Sequence, residues 1–129
     1  MSLGPVIPTL RVASMQRSLA FYTEEVGFTV KWSWSDDGGF EAGAAPDFLC
    51  LELGEALLFL SAQGGGREAE LFFELASVED LEELARRVSD KTPLAEPVAD
   101  KPWGSREFWV QDPDGHRLRF SCPSDRRRS

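Results

Sequence analysis

The sequence predicts an α+β fold built from two β-α-β-β-β modules, and three observations lead there. An Ala-Ser pair occurs twice where a strand pattern gives way to a helix pattern, as Ala13-Ser14 and Ala76-Ser77, 63 residues apart. An amphipathic stripe follows each pair. Each half then closes on a similar segment, LLFLS (57–61) and RLRFS (117–121), which aligns Leu58 with Leu118, Phe59 with Arg119, Leu60 with Phe120 and Ser61 with Ser121. Self-similarity at a near-constant spacing marks an internal repeat.

In the first half, LRVASMQRSLAFY (10–22) opens as an alternating strand, reaches Ser14 as an N-cap, and continues as a helix with Met15, Leu19, Tyr22 and Val26 on one face. FTVKWSW (28–34) alternates as a strand, and the Asp36-Asp37-Gly38-Gly39 cluster makes a loop. FLCLEL (48–53) and ALLFLS (56–61) follow, joined by a Gly54-Glu55 turn. SAQGGGRE (61–68) reads as a flexible linker.

The second half repeats the plan. In FELASVEDLEELA (73–85), Ser77 caps, Asp80 takes the capping-box position, and Val78, Leu81, Ala85 and Val88 form the buried stripe. Glu82 with Arg86 and Glu83 with Arg87 are spaced for ion pairs on the solvent side. The proline-rich stretch from 93 to 102 has room for a short irregular strand only. REFWVQ (106–111) then meets HRLRFS (116–121) across the turn Asp112-Pro113-Asp114-Gly115, with Phe108, Val110, Leu118 and Phe120 as the core face.

A chain of 129 residues, 42% of them hydrophobic, is long enough for one core. The expected organisation is a single domain over 5–122, made of modules 5–62 and 68–122, with a disordered basic tail over 123–129. A net charge of −8 argues against nucleic-acid binding, because phosphates would be repelled over most of the surface. It is compatible with a cationic ligand. No apolar run approaches the roughly 20 residues that cross a bilayer, and no signal-peptide pattern opens the chain, so a soluble cytoplasmic protein with no membrane partner is expected. Cys50 and Cys122 do not form a Cys-x-x-Cys pair and read as reduced thiols.

The paired modules, with LRVASMQRSLAFYTEEVGF near the start and WGSREFWVQDPDGHRLRF near the end, resemble the vicinal oxygen chelate superfamily of glyoxalases, bleomycin-resistance proteins and dioxygenases. The resemblance runs from about residue 6 to residue 121. It implies curved mixed sheets around a concave groove. Its enzyme members hold a divalent metal there, and their ligand positions fall on Ile7, Phe59, Leu71 (or its neighbour Glu70) and Arg119 of this chain. Ile, Phe and Leu offer no donor atom and Arg keeps its proton, so no metal and no other cofactor is expected. His116 follows the Asp112–Gly115 turn as an ordinary exposed polar residue. There is no Gly-x-Ser-x-Gly, no phosphate-binding glycine loop and no second histidine, so no catalytic residue is assigned.

Pro-Trp-Gly followed by Arg-Glu-Phe and Asp-Pro-x-Gly resembles the metal-free bleomycin-resistance branch, with Ser105 as an extra residue between Gly104 and Arg106. That resemblance implies a homodimer that binds a small planar or amphipathic ligand, of which a bleomycin-like antibiotic is one candidate, without consuming it. Expected ligand contacts are Trp32, Phe59, Ser61, Phe72, Glu74, Trp103 and Arg119. Flat rings stack on planar ligands and attract cations, and Ser61 could orient a polar group. Leu71, Phe73 and Leu75 suit a core, which turns Glu70, Phe72 and Glu74 to the other face, where the two carboxylates are either ligand contacts or solvated. Arg106 and Glu107 are assigned to supporting the hairpin or the dimer contact. Arg119 would repel cationic ligands unless Glu70 or Glu74 neutralises it. The alternative is a metal-dependent lyase or dioxygenase of the same superfamily; a dimeric scaffold with no small ligand is a third.

Overall fold

In the computed structural model, which describes residues 4–35 and 45–124, both predicted serine caps start helices. The Ser14 hydroxyl accepts the N–H of Arg17 at 3.2 Å, and the Ser77 hydroxyl accepts that of Asp80 at 3.1 Å. Each satisfies one of the N–H groups that a helix start leaves unpaired. The chain divides into two units, Met1–Arg67 and Glu68–Ser129. Each holds one four-stranded mixed sheet with its helix, so the α+β expectation of two β-α-β-β-β modules holds.

The first unit contains β1 (Thr9–Arg11), α1 (Met15–Ala20), β2 (Thr29–Trp34), β3 (Phe48–Leu53) and β4 (Ala56–Ser61), with sheet order β1-β4-β3-β2. β1 runs parallel to β4 and the other pairs are antiparallel. Leu10, Leu49, Leu51, Leu58 and Leu60 are all but fully buried and line one face of the sheet. The helix continues as a π-helix over Phe21–Val26 and stops at Gly27, whose φ of 109° suits glycine. Met15, Ser18, Phe21, Tyr22 and Val26 are buried, whereas Leu19, expected in that stripe, is only half-buried. The extra residue taken up by a π turn shifts the stripe away from simple α periodicity.

The second unit contains β5 (Glu70–Glu74), α2 (Val78–Ser89), β6 (Glu96–Asp100), β7 (Ser105–Gln111) and β8 (Arg117–Pro123), in the order β5-β8-β7-β6. Leu81, Ala85 and Val88 form the buried face of α2. Phe108, Val110, Leu118 and Phe120 are buried as predicted, and Phe120 stacks between Phe73 at 4.9 Å and Phe108 at 5.1 Å, centroid to centroid. β6 pairs with β7 irregularly, with a register shift between Glu96 and Ala99, as the proline-rich sequence predicts.

Several local expectations are corrected. His116 is 1% exposed, not a surface residue, because its Nδ1 accepts the backbone N–H of Ala69 at 3.0 Å and so joins the start of β5 to the hairpin. Glu82 finds Arg106 Nη1 at 3.5 Å. The segment read as a flexible linker is stitched to the edge of β1. Arg11 N–H donates to Gly66 O at 3.0 Å, and Gly66 N–H donates to Thr9 O at 2.8 Å. Gly65 has φ +100°, and a Cβ there would lie 2.8 Å from Thr9 O, so glycine is needed for close approach of two backbones. The parity expected for β5 holds, by contrast: Leu71 pairs with the buried Leu118 and faces the core, which leaves Glu70, Phe72 and Glu74 on the face shared with Arg119. The predicted loop at Asp36–Gly39 and nearly all of the predicted tail lie outside the described residues.

Candidate functional site

The parity of three adjacent strands assembles a site in the second unit. Phe72 pairs with Arg119, which pairs with Trp109; Glu74 pairs with Ser121, which pairs with Glu107. Side chains that alternate with the Phe108/Phe120 core therefore share the opposite face. They line a pocket of about 230 Å³ formed by Phe72, Glu74, Trp103, Ser105, Glu107, Arg119, Ser121 and Pro123. Phe72 and Trp103 remain 58% and 57% exposed, so two aromatic surfaces border a polar floor. Four expected contacts, Phe72, Glu74, Trp103 and Arg119, thus come together in one unit.

Glu107 occupies the centre of the floor and is 3% exposed. Its Oε2 accepts three hydrogen bonds, from Ser105 Oγ at 2.7 Å, Trp103 Nε1 at 3.1 Å and Ser121 Oγ at 3.1 Å. Its Oε1 lies 3.5 Å from Arg119 Nε and has no hydrogen-bond partner. Burial alone would push the Glu107 carboxyl up. The three donors and the Arg119 charge outweigh it, and the carboxyl is held below its ordinary range. Arg119 is therefore neutralised by Glu107, not by Glu70, which faces Arg117 at 3.5 Å, nor by Glu74.

Glu107, expected to support the hairpin or the dimer contact, is the hub of the site instead. The signal was present: with Phe108 and Val110 in the core, residue 107 must share a face with Arg119 and Ser121 across the hairpin. Arg106 does serve the scaffold, gripping both carboxylate oxygens of Asp100 at 2.7 and 3.3 Å.

The first unit carries a separate aromatic cluster. Trp32, Phe48 and Phe59 touch pairwise, with ring centroids 5.7, 5.4 and 5.2 Å apart. Trp32 is 43% exposed. Trp32 and Phe59 both register with Cys50, which is buried on the same side of the sheet. Burial pushes the Cys50 thiol up, which makes it a poor nucleophile. Ser61, expected to orient a ligand, is 7% exposed, and its Oγ accepts the backbone N–H groups of Gln63 at 3.2 Å and Gly64 at 2.9 Å. It caps the turn that leads into the stitched segment. Phe48 is an aromatic surface that the sequence reading did not single out.

The superfamily's enzymes imply a divalent metal, and the residues at the corresponding positions do not fit one. Ile7, Phe59 and Leu71 have no donor atom and Arg119 is a permanent cation; Glu70, the alternative to Leu71, faces Arg117 at 3.5 Å, and the Glu107 carboxylate beside Arg119 is already ion-paired and hydrogen-bonded. Among the described residues no group of three or more His, Cys, Asp or Glu side chains could hold a metal ion.

Comparison with known proteins agrees with this architecture. The model of the Glyoxalase/Bleomycin resistance protein/Dioxygenase superfamily matches residues 4–120. Among solved structures, TioX from Micromonospora sp. ML1 is similar with a TM-score of 0.74 and 19% identity, covering 93% of this chain and 98% of its own. A lactoylglutathione lyase from Agrobacterium tumefaciens is similar at 0.71 and 14% identity, with 95% of each chain covered. A glyoxalase/bleomycin resistance protein/dioxygenase from Nocardioides gives 0.68 and 19%, covering 97% of this chain and 87% of its own. At these identities the likeness speaks for the fold alone. A search of the curated proteins found no match.

Proposed function

The chain belongs to the glyoxalase/bleomycin resistance protein/dioxygenase superfamily, and from that premise we propose that it is a non-catalytic, metal-free binding protein for a small planar or amphipathic molecule. The observation that carries this reading is the second-unit pocket, in which two exposed aromatic rings, Phe72 and Trp103, flank a pre-formed polar floor. Solvent-exposed rings beside fixed hydrogen-bonding groups are what a stacked, oriented ligand requires. At about 230 Å³ the pocket lies below the roughly 300–1,000 Å³ of drug-sized sites, so it suits a flat ring system or one part of a larger molecule.

The Arg119–Glu107 pair removes the main objection to a cationic ligand, because the guanidinium charge is met inside the protein. A bleomycin-like antibiotic remains one candidate, and Trp32 and Phe59 are proposed as further stacking surfaces in the first unit. Assembly as a homodimer is part of this reading, supported by the exposed Val30 and Trp34 on β2. Calorimetric titration with planar cationic compounds, bleomycin-type glycopeptides among them, tests the proposal. Saturable binding supports it, and an absence of heat at micromolar protein removes the antibiotic version.

The metal-dependent lyase or dioxygenase alternative draws on the lactoylglutathione lyase likeness. It requires a ligand set that Ile7, Phe59, Leu71 (or its neighbour Glu70) and Arg119, with one carboxylate among them at most, do not supply.

A further inference from the structure

Three charged side chains line the second-unit pocket: Arg119, Glu107 and Glu74. One is positive and two are negative, a net of −1. The nearby cations do not change that balance. Lys101, whose Nζ lies over the Trp103 ring at 5.9 Å, is paired with Glu96 at 2.7 Å, and Arg117 faces Glu70 at 3.5 Å. Within the pocket the distribution is uneven. Glu107 is buried against Arg119, while Glu74 is exposed and has no cation partner among the described residues.

We propose that Glu107 is the specificity-determining positioning residue of this pocket, setting its preference for cationic over anionic planar ligands. It does so by cancelling the Arg119 charge while its other oxygen fixes the Trp103 indole. The inference rests on the binding reading above and names the ligand class of that site. Geometry carries both halves of the role. Oε1 of Glu107 faces Arg119 Nε at 3.5 Å, and Oε2 holds Trp103 Nε1 at 3.1 Å, with Ser105 and Ser121 completing its coordination by donors. Glu107 is almost wholly covered, so it acts through Arg119 and Trp103. The field a ligand meets is then dominated by Glu74, and a positive group beside a stacked ring is favoured.

Removing the Glu107 charge should expose the guanidinium to the ligand and bring the pocket to neutrality. Removing both charges should restore the net of −1. The test uses two bicyclic probes of similar shape and opposite charge, N-methylquinolinium and 2-naphthoate, titrated calorimetrically at low ionic strength. The wild-type chain is expected to favour the cation. Glu107→Gln should shift the ratio of the two affinities toward the anion by about tenfold or more, and Glu107→Gln with Arg119→Gln should return it. Glu74→Gln, an exposed change that leaves the hub intact, should weaken the cation selectively.

A purely structural role predicts equal loss for both probes in Glu107→Gln and no return in the double variant. Either result overturns the charge assignment while leaving a binding pocket. Failure of both probes to bind the wild-type chain overturns the binding reading and this inference with it.

Discussion

The indole N–H of Trp103 donates to Oε2 of Glu107 at 3.1 Å, which ties a residue of the Pro-Trp-Gly loop to β7. The ring is held by its polar edge and remains 57% exposed. A large aromatic surface is thereby kept available with little rotamer freedom to lose on binding.

Glu107 should make stability depend on pH. Its folded carboxyl titrates below the ordinary value, so its stabilisation is fully present above the unfolded carboxylate range of about 4.3 and is lost as pH falls through the lower folded value. Urea midpoints measured from pH 6 to pH 3 should fall less steeply for Glu107→Gln than for the wild-type chain. Equal slopes would contradict the ion-pair and hydrogen-bond account.

His116→Leu should destabilise the protein by about 1–3 kcal/mol, because the part-buried N–H of Ala69 loses its acceptor at the start of β5. A lowered urea midpoint at unchanged m-value is the expected signature. No change in midpoint would contradict a stabilising role for the bond between Ala69 and His116.

Gly65→Ala should cost more than about 1 kcal/mol, since φ is +100° and the added Cβ would meet Thr9 O at 2.8 Å. Gly64→Ala, whose Cβ meets nothing nearer than Ser61 Oγ at 3.9 Å, should stay within about 0.5 kcal/mol. Thermal melts of the two variants check the pair, and equal effects would contradict the stitching of this segment to β1.

Protein purified without chelator should contain well under one divalent metal per chain by elemental analysis, and its melting temperature should not respond to EDTA. Stoichiometric metal would favour the enzyme alternative over Arg119 as a charge-neutralised pocket residue.

The modular plan was legible because it rests on local chemistry: Ser14 and Ser77 cap helices, Asp112–Gly115 makes the hairpin turn, and Leu71/Phe73 against Phe72/Glu74 gives the parity of β5. What escaped depends on tertiary context. The glycines at 64–66 suggest flexibility by composition, while Gly65 allows close backbone approach at β1 and Gly66 bonds Thr9 and Arg11 through its backbone. Ser18 replaces Leu19 in the buried stripe because a π segment follows α1. Ser61 is taken up by its own turn. Glu107 carries a charge that suggests exposure, and only the convergence of Ser105, Ser121, Trp103 and Arg119 makes its burial tolerable.

The most direct test of the central claim is a calorimetric titration of N-methylquinolinium into the wild-type chain and into Trp103→Ala. Saturable binding by the wild-type chain, weakened about tenfold or more by removal of the indole, is the predicted result. Equal affinity in the two proteins, or no heat in either, would contradict a ligand site walled by Trp103.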